Sequence, residues 1–200
     1  MRLEDILTQI APAEQRAMAE AKRRWDAVAH PLNSLGMLET DVIRIAGMTG
    51  SPNIDISKRA VVVMCADNGV VEEGVTQTGQ EVTAIVTENM STGDTSVCRM
   101  SHVAGADVIP VDIGVARPVK GGKIRQKNIR RGTANMTQGP AMTREEAERA
   151  ILTGVELVGE LKEQGYRLLA TGEMGIGNTT TSSALIAAYL GLSAKDTVGR

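Results

Sequence analysis

The segment Thr171-Gly172-Glu173-Met174-Gly175-Ile176-Gly177-Asn178-Thr179-Thr180-Thr181 carries the densest chemical signal in the sequence. Its glycines let the backbone turn successive N–H groups to one side. A helix opening there would add unpaired N–H donors and a partial positive charge. The threonine hydroxyls add further donors. Together Gly175, Ile176, Gly177, Asn178, Thr179 and Thr180 predict a cradle for a phosphate monoester. No lysine precedes the threonines, so the segment is not a Walker A loop, and Thr180 stands where a dinucleotide fingerprint needs a third glycine or alanine. The competing reading is a tight strand-to-helix turn that binds nothing. Glu173 would be repelled by a phosphate and is expected to face ribose hydroxyls, or else to be a solvated loop residue or cap.

A second polar segment runs from Ala66-Asp67-Asn68-Gly69-Val70 to Gln80-Glu81-Val82-Thr83. Asn68, Gln80 and Thr83 could offer neutral hydrogen bonds to a heterocycle. A surface loop capping the next helix competes with that reading. Asp112 could bind a ligand or cap a turn. The basic stretch Lys120, Lys123, Arg125, Lys127, Arg130 and Arg131 reads as a solvated loop rather than a binding patch. His102 reads as structural, and the ten methionines as filler in a core poor in rings.

These segments need elements to position them. Ala60–Ala66 is a continuous apolar run, the mark of a strand buried on both faces in a parallel sheet. Asp107–Val115 and Tyr166–Thr171 are predicted as further strands, with Pro110 marking an edge or an irregularity. Helices are predicted over Ala13–Ala29, with Pro12 in its first turn, and over Leu35–Met48, Glu81–Met90, Thr95–Val103 and Thr179–Leu190. Thr143 and Glu146 form a capping-box pattern that opens another helix reaching about Gln164. Strands alternating with helices give an α/β fold: a parallel-sheet, Rossmann-like three-layer domain with a small N-terminal helical part. The expected division is 1–55 helical and 56–200 α/β. In such sheets ligands bind outside the carboxyl ends of the strands, where both polar segments fall.

Composition narrows the function. Among 200 residues, 22 Lys+Arg face 24 Asp+Glu for a net charge of −2, and aromatics are 2%. Neither a basic nucleic-acid surface nor a base-stacking platform fits. No apolar run approaches the ~18 residues of a membrane span, and no signal core opens the chain, so a cytoplasmic protein is expected. Two cysteines make no disulfide framework, and two histidines make no zinc site.

Gly172–Thr180 closely resembles the phosphate-loop motif of the nicotinate-nucleotide–dimethylbenzimidazole phosphoribosyltransferases. Ala66-Asp67-Asn68-Gly69-Val70 and Gln80-Glu81-Val82-Thr83 look like that family's second signature. Ser34-Leu35-Gly36-Met37-Leu38-Glu39 resembles its N-terminal one, with Asn33 and Met37 in place of a glycine and an arginine. The resemblance implies transfer of phosphoribose from nicotinate mononucleotide to a benzimidazole nitrogen, for the cobamide lower ligand, without metal or redox cofactor. It implies that Gly175, Ile176, Gly177, Asn178, Thr179 and Thr180 hold the phosphate, that Glu173 lies near the ribose, and that Gln80 and Asn68 serve the base pocket. It implies a homodimer and small-molecule substrates only. Members are longer than this chain, Val198-Gly199-Arg200 looks like the opening of a further glycine-rich motif, and the family's catalytic glutamate matches no residue here. The 200-residue chain alone is therefore expected to bind rather than turn over. A dinucleotide-type binding domain and a non-catalytic binding subunit remain the alternatives.

Overall fold

The computed structural model describes residues 2–198, so the Gly199-Arg200 part of the last motif lies outside the described residues. The chain divides into two compact units, Met1–Ser57 and Lys58–Arg200.

The first unit contains α1 (Leu3–Leu7), α2 (Gln15–Asp26) and α3 (Met37–Thr49). Pro12 precedes α2 rather than sitting in its first turn. The Glu14 carboxylate starts the helix instead, accepting from Arg16 N at 2.9 Å and Ala17 N at 2.6 Å. Helices α2 and α3 meet through small side chains, with Ala17, Ala21 and Ala46 buried. A Cβ at Gly47 would lie 2.6 Å from Met18 Cγ, which shows how closely the two helices approach. Asn33 adopts φ +59°, the left-handed conformation that asparagine tolerates best after glycine. That accounts for an asparagine where the resemblance leads one to expect glycine. Between the helices, Glu39 is buried and accepts from Leu35 N at 3.1 Å, while its Oε1 lies 3.2 Å from His30 Nε2. The other ring nitrogen of His30 faces Val28 O at 2.9 Å, and the Trp25 ring lies 5.7 Å from the His30 ring.

The second unit is α/β. Its elements are β1 (Arg59–Ala66), α4 (Glu81–Thr92), α5 (Ser96–Val103), β2 (Asp107–Gly114), β3 (Arg125–Gln126), α6 (Arg144–Glu163), β4 (Leu168–Met174), α7 (Asn178–Leu190) and α8 (Ala194–Thr197). The strands form one parallel sheet in the order β3-β2-β1-β4. Strand alternation sorts the core into two layers. Ala60 and Val62 of β1 join Ile109, Val111, Leu157 and Leu161 on the α6 face. Val63 and Cys65 join Ala84, Met90 and Val115 on the α4 face. The capping box at Thr143 is present in both directions: Glu146 N donates to Thr143 Oγ1, and Thr143 N donates to Glu146 Oε2.

Two expectations shift. The third predicted strand starts two residues later and ends three residues later, because its pairing with β1 runs on to Gly172 opposite Val63 and Met174 opposite Cys65. Tyr166 instead sits ahead of the strand. Its hydroxyl donates to Asp107 Oδ2 at 2.6 Å, and Lys58 Nζ lies 4.7 Å from its ring centre. Pro110 lies in β2 just before the only stretch that β3 covers, Val111–Asp112. A residue without an N–H is tolerated on that largely open flank. On the opposite side of the sheet, α7 carries no buried residue, and Leu185, Ile186, Tyr189 and Leu190 are exposed.

Candidate functional site

Because β1 and β4 are adjacent and parallel, the two polar segments leave the sheet side by side at its carboxyl end. Their approach is too close for a side chain. A Cβ on Gly175 would lie 2.1 Å from Ala66 O, so glycine is required there whatever the loop binds. Gly177 adopts φ +84°, and a Cβ there would meet Val71 Cγ2 at 2.9 Å.

Asn68 ties the two loops together. Its Nδ2 donates to Ile176 O at 3.1 Å, and its Oδ1 accepts from Thr181 Oγ1 at 3.0 Å. Gln80 Nε2 donates to Asn68 O at 2.9 Å, holding the start of α4 on the same junction. The fully buried Thr83 accepts from Ile176 N at 3.0 Å and so fixes the glycine loop from below. The structure thus brings Asn68, Gln80, Thr83 and the glycine loop together. It uses both ends of the Asn68 amide internally and, among the described residues, leaves Gln80 Oε1 without a hydrogen-bond donor.

The glycine loop itself differs from a row of open amides. Asn178 N donates to Gly175 O at 3.0 Å, and Thr180 N to Gly177 O at 3.1 Å. Thr179 N donates to the Asn178 side-chain oxygen at 2.7 Å. The Asn178 side-chain amide donates in turn to Glu173 Oε2. Among the described residues the Gly177 N–H has no acceptor, although Gly177 is buried. A glycine spacing announces such a turn but does not say which N–H groups the turn consumes. The sharp bend of a strand running directly into a helix consumes most of them here.

The other wall joins Asp67 and Gly69 of the second polar segment to Glu73, Thr133, Asn135 and Thr137, which the sequence did not single out. Asp67, at the end of β1, is 1% exposed. Its Oδ2 accepts from Ala116 N at 2.7 Å, while Oδ1 has no partner among the described residues. Its carbonyl accepts from Thr133 N at 3.0 Å, and Thr133 Oγ1 accepts from Gly69 N at 3.0 Å. A Cβ on Gly69 would lie 2.5 Å from the Ala134 carbonyl carbon, so this contact too requires glycine. Glu73 accepts from Asn135 Nδ2 at 2.6 Å and from Thr137 Oγ1 at 2.9 Å, and these bonds hold its carboxyl below the usual range. The sequence signals for this wall were an aspartate directly following a buried run and the signature-like Asp67-Asn68-Gly69 around it; nothing local marked Thr133, Asn135 or Thr137.

Asp112 caps its own turn. Oδ1 accepts from Val115 N at 2.8 Å and Asn128 Nδ2 at 2.7 Å, and Arg131 Nη1 lies 3.4 Å from Oδ2. Other cations of the basic stretch are paired within the fold: Arg130 with Glu146 at 3.2 Å, and Arg125 and Lys127 with Glu160 at 3.8 and 3.6 Å. An open groove of about 800 Å³ runs past Cys98, His102, Lys123 and Tyr166 near the start of β2, away from the glycine loop. Its two arginines are already engaged, Arg99 with Asp94 and Arg125 with Glu160. Chemistry therefore favours the carboxyl end of the sheet. Among the described residues no three His, Cys, Asp or Glu side chains gather at metal-binding spacing.

Comparison with known proteins identifies this frame. A phosphoribosyltransferase family model matches residues 10–200. The nicotinate-nucleotide–dimethylbenzimidazole phosphoribosyltransferase of Ruminiclostridium cellulolyticum is 44% identical over 200 residues, covering 100% of this chain and 57% of that protein. The Escherichia coli protein of the same name is 40% identical over 200 residues, covering 98% of this chain and 55% of its own length. The crystal structure of CobT from Thermus thermophilus superposes with a TM-score of 0.87 at 41% identity, over 92% of this chain and 56% of that one. The chain spans a little over half the length of the curated relatives it matches. It belongs to the phosphoribosyltransferase family that these proteins represent.

Proposed function

We propose that this chain contributes the phosphate and base-side walls of an enzyme that transfers phosphoribose from nicotinate mononucleotide to 5,6-dimethylbenzimidazole or a related base. The products are α-ribazole 5′-phosphate and nicotinate. The observation that carries the reading is the Asn68 clamp, which sets the glycine loop against the β1 loop and the start of α4 at one end of the sheet. The names of relatives at 40–44% identity support the choice of substrates.

The chemistry asks little of the protein beyond placement. The glycosidic bond to the pyridinium nitrogen breaks, and that nitrogen leaves as neutral nicotinate ring nitrogen. A benzimidazole nitrogen forms the new bond, and its other nitrogen loses a proton. Holding the 5′-phosphate at a helix start fixes the ribose, and aligning the incoming nitrogen converts a collision into an in-line displacement. Gly177 N–H, Thr179 N–H and the hydroxyls of Thr179 and Thr180 hold the phosphate. Glu173 stands on the ribose side. Gln80, with Asn68 behind it, lines the base pocket. The proton acceptor is a group outside this set. The working enzyme is a cytoplasmic homodimer with small-molecule substrates.

The test is nicotinate release from nicotinate mononucleotide by the full-length protein, with and without 5,6-dimethylbenzimidazole. Release that depends on the added base is expected. Release at the same rate without it would make the protein a hydrolase and overturn the proposal.

A further inference from the structure

We infer that the Asn178 carboxamide is a built-in stand-in for the phosphate, resting on the Thr179 amide where an anion oxygen belongs and swinging off it, still held by Glu173, when a phosphate monoester binds. The inference rests on the phosphate reading above and makes Asn178, which the family resemblance places among the ligands of the anion, its competitor.

A helix start leaves its first N–H groups without intrahelical partners. In α7 these belong to Gly177, Asn178, Thr179 and Thr180. Two of them end on fixed backbone oxygens: Asn178 N on Gly175 O, and Thr180 N on Gly177 O. Gly177 N–H has no acceptor among the described residues. Thr179 N–H alone ends on a side chain, the Oδ1 of Asn178 at 2.7 Å. Rotating one side chain therefore frees the Thr179 donor beside the unused Gly177 donor without moving the backbone. The neighbouring Ile176 N–H also ends on a side chain, but that is the hydroxyl of the fully buried Thr83 in α4, whereas Asn178 belongs to the loop itself.

The exchange discriminates by charge. The Asn178 oxygen is neutral. A phosphate oxygen makes a charge-assisted hydrogen bond of roughly twice the strength, at a helix end that already favours negative charge. A sugar hydroxyl brings neither advantage and does not displace the carboxamide. Glu173 completes the device, because its Oε2 accepts from the Asn178 side-chain amide. It gives the displaced side chain a place to stay, and the carboxamide then lies between two like charges.

The test is calorimetric titration of the 200-residue chain with ribose 5-phosphate and with ribose, using wild type, Asn178→Ala and Asn178→Asp, each checked for fold by circular dichroism. Removing the stand-in is expected to tighten ribose 5-phosphate binding about fivefold, one neutral hydrogen bond's worth. Ribose binding stays undetectable in both. Asn178→Asp weakens the phosphate ester, because a fixed charge occupies the cradle. In wild type, phosphate titration followed by amide NMR shifts the Thr179 N–H and the Asn178 side-chain NH₂ together. A folded Asn178→Ala that binds ribose 5-phosphate as weakly as wild type, or more weakly, overturns the stand-in while leaving the phosphate reading intact. Failure of both folded proteins to bind the ester overturns the phosphate reading and the stand-in with it. Should Asn178→Ala not fold, unshifted Asn178 NH₂ resonances in saturated wild type overturn the inference.

Discussion

Asn68 and Ile176 stand 108 positions apart in sequence, and one hydrogen bond from the Asn68 side chain to the Ile176 carbonyl, 3.1 Å long, joins them. The same carboxamide accepts from Thr181 through its oxygen, so one side chain bonds the glycine loop at two points, beside the bond from Ile176 N to Thr83. Asn68→Ala strips the partner from a half-buried carbonyl and is expected to cost about 2 kcal/mol. Asn68→Asp keeps an acceptor for Thr181 but turns a second acceptor on the Ile176 carbonyl, so it should be no more stable than the alanine variant. Urea unfolding of the three proteins checks the ranking. An aspartate variant as stable as wild type would show that this bond holds nothing.

Acid should weaken the second unit through Glu88. Both carboxylate oxygens accept from Arg117 at 2.9 Å, and Lys120 N adds a third bond at 3.0 Å. The Arg117 guanidinium, then the Lys120 amide, lower the carboxyl to about 2 from an ordinary 4.5. A lowered carboxyl stabilises the fold above its unfolded value, and that stabilisation fades as pH falls toward the folded one. The stability gap between wild type and Glu88→Gln should therefore be full at pH 5 and shrink steadily down to about pH 2. Denaturant titrations at stepped pH measure it, and a gap that ignores pH contradicts the assignment.

The first unit should respond in the opposite direction. Both nitrogens of His30 face groups that can only accept, Val28 O and Glu39 Oε1, so the arrangement is satisfied by the imidazolium. The Val28 carbonyl, then Glu39 and more distant Asp26, raise His30 above its ordinary 6.5. Its stabilisation is complete below about pH 6.5 and is lost as pH rises through the raised folded value. Leu35 N–H, which donates to the same Glu39 oxygen, reports this. Its exchange protection, corrected for intrinsic chemistry, should fall as pH rises above 6.5 in wild type and stay level in His30→Gln.

The two thiols should separate cleanly. Cys65 has no exposure, and burial pushes its thiol up to about 11. Cys98 is only partly buried. With a disulfide reagent at pH 8, Cys98 should react in the native protein and Cys65 only on unfolding. Equal rates would mean that the sheet core opens freely.

Sequence made the scaffold readable where local preference and long-range packing agree. The unbroken apolar run of β1 and the Thr143–Glu146 capping box are such places. It failed where distant partners decide. Gly172 and Glu173 look like turn residues, yet pairing with Val63 and Met64 makes them strand. The two-residue β3 exists only because β2 offers it an edge. Asn68 and Gln80 were legible as polar residues near a ligand. Their mutual contacts were not, since those depend on an Ile176 carbonyl that no local pattern reveals. Arg125, Lys127, Arg130 and Arg131 read as a solvated loop, whereas each pairs with an acid in another element that the local sequence does not reveal.

Trp25 is the chain's single tryptophan, and it stands in the helical unit with its ring beside His30. The molecule thus carries a native optical label on one half only. An emission melt follows the helices, a far-ultraviolet dichroism melt sums over everything, and the distance between the two midpoints measures how independently the halves come apart, with no dye attached.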